Sequence, residues 1–303
     1  MENIPRLSVV VCTYNRPILL KTCLRSLAVQ TMDPRLFEVV VVKYNEQENS
    51  HDIASLCLDN HPFFRVIEEP TVGISIARNR GWREARGEFV AYIDDDAQAP
   101  PDWAGRILDV FIRVFPRPVA VGGKVLPVHT VKPPFWYSED LEIFSLGETA
   151  HFRSSEIARY GFIGANMAFT REVLEQYGGF SPEYGMLGPV VRLGEETELF
   201  TRIHRDYPNR FWYDPDLYVH HCISDHKMNL ISRCIRSFRG GKALASIDAA
   251  GKKPWPISKK ILHLVRTVPA LPFRIIVYRR RIATEFVIFL QDLCERSGYL
   301  SIA

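Results

Sequence analysis

Six cysteines (Cys12, Cys23, Cys57, Cys222, Cys234 and Cys294) occur without a single C-x-x-C pair, so neither a zinc site nor a disulfide framework is implied. Reduced thiols and a cytoplasmic setting are the expectation. The chain has no low-complexity segment and no internal repeat, which argues against solenoids and arrays. MENIPR leads straight into an apolar run, leaving no room for a signal peptide. The apolar runs of the C-terminal tail are broken by Arg274 and by Arg279-Arg280-Arg281. Neither reaches the roughly 20 residues that a membrane-spanning helix needs. A glycine-rich phosphate loop is missing after the first apolar run, which argues against a nucleotidyltransferase.

Net charge is also small, at +3, but it is unevenly placed. Residues 251–303 hold ten Lys and Arg against three Asp and Glu, whereas residues 1–250 hold 28 against 32. The basic tail is interleaved with Trp, Phe, Leu and Ile. That pattern fits contact with a membrane surface, or docking onto a protein, better than nucleic-acid binding. Just before it, SRCIRSFRGG (Arg233, Arg236, Arg239) reads as a solvated helix face.

What the chain does have is a 47% hydrophobic content over 303 residues, enough for one large core. Apolar runs at 7–12, 38–42, 64–67 and 89–93 predict strands, and they alternate with helical patterns near 19–27, 51–60 and 74–86. Strands apolar throughout and separated by helices predict a parallel sheet covered on both faces. The second half predicts a strand over 119–128, a loop over 129–160 and a strand–helix unit stopped by Gly178-Gly179. A helix ended by Pro208 follows, then a strand in RFWYDPDLYVHH interrupted by a turn. From about 226 the pattern is helical, basic and amphipathic, which divides the chain into 1–225 and 226–303.

Asp94-Asp95-Asp96 closes the fourth strand. Three carboxylates at one point repel unless a cation sits among them, and oxygen-only ligands suit Mg2+ or Mn2+. Alone, such a run also fits a solvated acidic turn. Its position at a strand end, where ligands of parallel sheets gather, favours a site.

Five collinear segments carry a resemblance: VVVCTYNRP, GISIARNRGWREARGEFVAYIDDD, GANMAFTREVLEQYGGF, GEETELF and YDPDLYVHH. From Ser8 to about His221 the chain resembles the family 2 glycosyltransferases. The resemblance implies an α/β GT-A fold, with a mostly parallel, Rossmann-like sheet flanked by helices and a C-terminal helical extension. It further implies an inverting, metal-dependent, hexosyltransferase-type activity. The donor would be a UDP-, GDP- or dTDP-linked sugar, and the acceptor a hydroxyl on a glycan, a lipid-linked molecule or another glycoconjugate.

Residue by residue, the resemblance assigns the donor to Thr13, Tyr14, Asn15, Arg16, Arg78, Asp94, Asp95, Gly164 and Asn166. Asp94 and Asp96 match the outer positions of the D-x-D element and would bind the metal with His220, chosen over His221. Glu196 would be the general base, with Glu195 raising the proton affinity of the pair. Trp136 and Tyr137 are candidates for stacking on an acceptor sugar, and equally for packing. One position departs from the pattern. Lys43 stands where the family commonly has an Asp that contacts the base, so that contact is lost, rebuilt from Asn45, or replaced by stacking on Tyr44. The rival reading is a non-catalytic nucleotide-sugar-binding protein on the same fold. Intact Asp94, Asp96 and Glu196 argue against it.

Overall fold

The computed structural model describes residues 4–44, 63–153, 161–249 and 282–302. The predicted helix over 51–60, Asn45, Cys57 and most of the tail therefore lie outside the described residues.

Four parallel strands form one half of the sheet. Strand β1 (Leu7–Thr13) lies between β2 (Phe37–Lys43) and β4 (Phe89–Asp94), and β3 (Phe64–Glu68) adds to the outer side of β2. Every residue of β1 and β2 is buried, as expected of β-branched runs covered on both faces. Alternate side chains feed two separate cores. Leu7, Val9 and Val11 meet Leu20, Cys23, Leu24 and Leu27 of α1 (Pro17–Ala28) on one face. Val10, Cys12, Val40 and Val42 meet Ile74, Ala77 and Trp82 of α2 (Ile74–Glu84) on the other. Each such aliphatic side chain contributes about 1.5–3 kcal/mol by leaving water.

The sheet then changes direction. Beyond β5 (Ala97–Gln98) and α3 (Trp103–Arg113), β6 (Ala120–His129) pairs antiparallel with β8 (Met167–Thr170), which itself lies antiparallel to β4. The nine-stranded order is β3-β2-β1-β4-β8-β6-β9-β5, with β7 (His151–Phe152) on the flank of β9 (Phe211–Ile223). Helix α4 (Arg171–Tyr177) is capped by the Thr170 hydroxyl and ends at Gly178, whose φ of 72° is left-handed. Helix α5 spans Glu195–Asp206.

The predicted turn inside RFWYDPDLYVHH is absent, and β9 runs through Pro215 without a break. Side chains hold this stretch in the strand. Asp214 accepts the Asp216 N–H at 2.9 Å, and Arg106 of α3 holds both aspartates at 3.0 and 2.6 Å. On the neighbouring strand only a glycine fits. A Cβ on Gly123 would lie 1.5 Å from the Leu217 carbonyl oxygen.

Two compact units result. The first comprises Met1–Leu126, Ile143–Gly188 and Glu195–His221; the second comprises Pro127–Glu142, Pro189–Gly194 and Cys222–Ala303. Within the second, α6 (Leu230–Ala249) and α7 (Ile282–Leu300) pack together, with Tyr299 donating to Asp248 at 3.0 Å. Arg233 is buried rather than solvated. It pairs with Glu142 and donates to the carbonyls of Lys227 (2.9 Å) and Leu141 (3.0 Å).

Candidate active site

The carboxyl ends of β1 and β4 are adjacent, with Cys12 in register with Asp94. This is where a parallel α/β sheet opens a crevice. Thr13 donates from its hydroxyl to Asp95 at 2.8 Å, and Arg16, half exposed, reaches Asp95 at 3.3 Å and Asp96 at 3.1 Å. The three aspartates therefore do not act as a unit. Asp95 is buried and already occupied; burial and the neighbouring Asp96 push its carboxyl up to about 7, against the pull of Arg16 and Thr13.

Asp94 and Asp96 instead turn toward a histidine. After Asp96 the chain pairs antiparallel with β9, placing Ala97 opposite His221 and Gln98 opposite His220. His221 Nε2 then lies 3.1 Å from Asp96, and ligand atoms of Asp94, Asp96 and His221 all fall within 4.8 Å of one another. His220 projects from the opposite face, exposed and edge-on to Tyr218 at 5.5 Å. The histidine beside the aspartates is thus His221, a correction to the choice of His220. Period-two alternation held the signal, because Phe211, Tyr213, Leu217 and Val219 are buried and His221 shares their parity. Two carboxylates and one imidazole, partly buried, suit Mg2+ or Mn2+.

Arg78, on α2, is 3% exposed and joins this cluster to a second one. One terminal nitrogen donates to Asp94 at 3.2 Å; the other donates to Glu195 at 3.1 Å and Glu196 at 3.3 Å, both at the start of α5. Burial alone would lower its pKa, but Glu196, Asp94 and Glu195 outweigh that and hold the guanidinium charged. The two glutamates differ. Glu195 is buried with Oε2 unpartnered; burial, reinforced by the Glu196 charge, pushes its carboxyl up to about 8. Glu196 remains partly open to solvent.

Other expected residues fall into distinct settings. Tyr14 is half-buried against the buried Tyr44, ring centroids 5.3 Å apart. Asn15 is exposed with a left-handed φ of 53°, which asparagine tolerates. Lys43 is buried at the end of β2. Gly164 abuts both Arg78 and Glu196. Asn166 is fully buried and its amide is committed to the protein interior. It donates to the carbonyls of Lys124 (2.9 Å) and Leu217 (2.8 Å) and accepts from Trp103 at 2.9 Å. Its side chain locks strands together rather than facing the crevice. Trp136 and Tyr137 belong to the second unit, where the Trp136 carbonyl accepts from Thr284 at 2.9 Å and Tyr137 meets His129 edge-on. One residue of the site went unforeseen: Phe180, whose ring centroid is 5.4 Å from the Arg78 guanidinium carbon. Asn79 fixes it by exchanging two hydrogen bonds with its backbone, at 2.7 and 2.8 Å.

A parallel α/β half that gathers acidic residues and an imidazole at its strand ends, extended by antiparallel strands, defines a GT-A glycosyltransferase. The chain belongs to glycosyl transferase family 2, whose family model matches residues 8–178. A glucosyl-dolichyl phosphate glucuronosyltransferase from Haloferax volcanii is 29% identical over 255 residues, covering 80% of this chain and 77% of that protein. Among solved structures, mannosyltransferase PcManGT from Pyrobaculum calidifontis, in complex with GDP-Man and Mn2+, superposes with a TM-score of 0.61. The identity is 20%, with 97% of this chain and 87% of that one covered. S. aureus TarS 1–349 in complex with UDP-GlcNAc superposes at 0.59, with 16% identity and 98% and 91% covered. Both superpositions bear on the fold.

Proposed function

We propose that the enzyme is an inverting, metal-dependent glycosyltransferase that moves a hexose from a nucleoside-diphosphate sugar to an acceptor hydroxyl. One observation carries this reading: Asp94, Asp96 and His221 converge at the strand ends, with Glu196 held to the same cluster through Arg78. The residues fit a divalent ion. Asp94, Asp96 and His221 would hold Mg2+ or Mn2+, and such an ion neutralises charge on a departing diphosphate. Thr13, Tyr14 and Arg16 line the same strand end and would hold the nucleoside and its phosphates. Glu196, the more exposed glutamate, takes the proton from the acceptor hydroxyl. The freed oxygen attacks the anomeric carbon from the face opposite the diphosphate, and the bond to the diphosphate breaks. Burial and the neighbouring Glu196 push the Glu195 carboxyl up, which leaves Glu196, partly open to solvent, as the glutamate that an acceptor can reach.

The GDP-Man and Mn2+ of the mannosyltransferase neighbour and the UDP-GlcNAc of TarS support a nucleotide-sugar donor. The dolichyl-phosphate relative supports a lipid-linked acceptor. With it goes a peripheral position on the cytoplasmic face of a membrane, held by the basic stretch 251–303. Among the described residues no helix is long and apolar enough to cross a membrane.

A panel of UDP-, GDP- and dTDP-sugars with Mn2+ tests the reaction. One donor should release its nucleoside diphosphate, and EDTA should stop the release. Binding without turnover would favour the non-catalytic alternative, and no response to any donor would sink both. Glu196→Gln should lower turnover at least 100-fold with donor affinity retained; lost donor binding would reassign Glu196.

A further inference from the structure

We propose that Arg78 is a positioning residue that clamps the base Glu196 to the metal-site Asp94, and that it does not bind the donor. This rests on the transfer reading above and changes the role that the resemblance assigned to Arg78. The guanidinium has its terminal nitrogens taken by three carboxylates and is 3% exposed. Phe180 covers it at 5.4 Å, and Gly164 closes in beside the nitrogen facing Asp94. A Cβ on Gly164 would stand 2.0 Å from Nη2 of Arg78 and 2.6 Å from Oε1 of Glu196. Any side chain at 164 would therefore displace the guanidinium, the carboxylate or both from this arrangement. No open face is left on Arg78 for a diphosphate.

The chemistry explains why arginine is needed. Glu195 and Glu196 are adjacent in sequence, and Asp94 arrives from a different element. A planar cation with five donors in a fixed fork can hold all three at once, whereas lysine is a point charge on a flexible stem. Fixing Glu196 relative to the metal site fixes the acceptor oxygen relative to the leaving diphosphate. Displacement of about 1 Å in such an arrangement can cost on the order of 100-fold in rate.

Arg78→Lys keeps the charge and removes the fork. The expected result is a kcat lowered about 100-fold. The donor KM, and the affinity for UDP or GDP with Mn2+ (whichever the wild type binds), should stay within about 3-fold by titration calorimetry, since no donor contact is lost. Gly164→Ala leaves Arg78 chemically intact but pushes its guanidinium aside, and should give the same loss in kcat alone. It also decides the matter if the lysine variant does not fold. Nucleotide affinity lowered tenfold or more in Arg78→Lys would make Arg78 a donor contact and overturn the clamp. So would a Gly164→Ala enzyme with wild-type kcat. A wild type that turns over donor while either result is seen overturns the clamp alone. A wild type that binds no nucleotide overturns the transfer reading as well.

Discussion

Glu195 and Glu196 are neighbours in the chain, yet burial separates their chemistry. Glu195 is 6% exposed, and the loss of solvent, followed by repulsion from Glu196, raises its carboxyl from an ordinary 4.5 to about 8. A carboxyl raised on folding binds more protons folded than unfolded. Its favourable contribution is therefore complete below about pH 4.5 and is lost as pH climbs toward 8. Glu195→Gln, neutral at every pH, should then melt no higher than the wild type near pH 4.5. By pH 8 the order should reverse, with the variant more stable than the wild type by up to a few kcal/mol, or roughly 5 °C or more. A series of melts from pH 4.5 to 9 reads this directly, and a gap that does not change with pH would refute it. His221 makes the other single-residue case. Its ring faces Asp96, so His221→Ala should weaken Mn2+ binding about tenfold or more, since losing even an outer partner of a metal ligand costs about 10–100-fold, whereas His220→Ala should leave it unchanged. Electron paramagnetic titration of free Mn2+ separates the two, and equal losses would show that the parity of β9 does not select the ligand. Asp94, Asp96 and Glu196 were legible from their order along the chain. The choice between two adjacent histidines depended on which face of a strand each occupies.

Strands β1, β2 and β4 could be read directly because each carries a long apolar run flanked by turn residues, as burial on both faces demands, whereas the edge strand β3 (FRVIE) is only partly buried. The antiparallel half was harder to read, since its polar interruptions are explained only by distant partners. Asp214-Pro215-Asp216 looks like a turn until Arg106, some hundred residues earlier, is seen to hold both aspartates inside β9. Asn166 looked like a donor contact for a related reason: nothing local shows that Trp103, Lys124 and Leu217 use up its amide. The close approach of β6 to β9 at this place gives a sharp test. Gly123→Ala puts a methyl 1.5 Å from a backbone oxygen, which no rotamer relieves. It should destabilise by about 3 kcal/mol or more. Gly105→Ala, on α3 with nothing within 4 Å, is the matched control. It should be neutral or stabilising by up to about 1 kcal/mol. Urea denaturation of both variants measures the contrast, and similar midpoints would mean that the β6–β9 contact is looser than described.

At the scale of the whole molecule, charge and organisation point in one direction. The first 250 residues carry a slight acidic excess, while residues 251–303 carry ten basic residues against three acidic ones. That basic, amphipathic character was plain in the sequence. What was not plain is that segments 127–142 and 189–194 join the C-terminal helices in one compact unit. The contacts responsible, Thr284 to the Trp136 carbonyl and Arg233 to Glu142, link residues too far apart in the chain for any local pattern to register. If the basic stretch holds the enzyme on a membrane that presents a lipid-linked acceptor, attraction to anionic lipid should contribute about 1 kcal/mol per basic residue near the surface. Reversing Arg279, Arg280 and Arg281 to Glu in the full chain should therefore reduce sedimentation with phosphatidylserine-containing vesicles at least tenfold. Binding to neutral vesicles should be weak in both proteins, and 0.5 M salt should weaken the wild type toward the variant, because screening shortens the reach of exposed charges. Donor hydrolysis in solution, which on the proposed reading takes place in the first unit at Asp94, Asp96, His221 and Glu196, should be unchanged and so reports that the variant is folded. Undiminished vesicle binding alongside intact hydrolysis would rule out the arginine run as the anchor and leave docking onto a protein as the role of the tail.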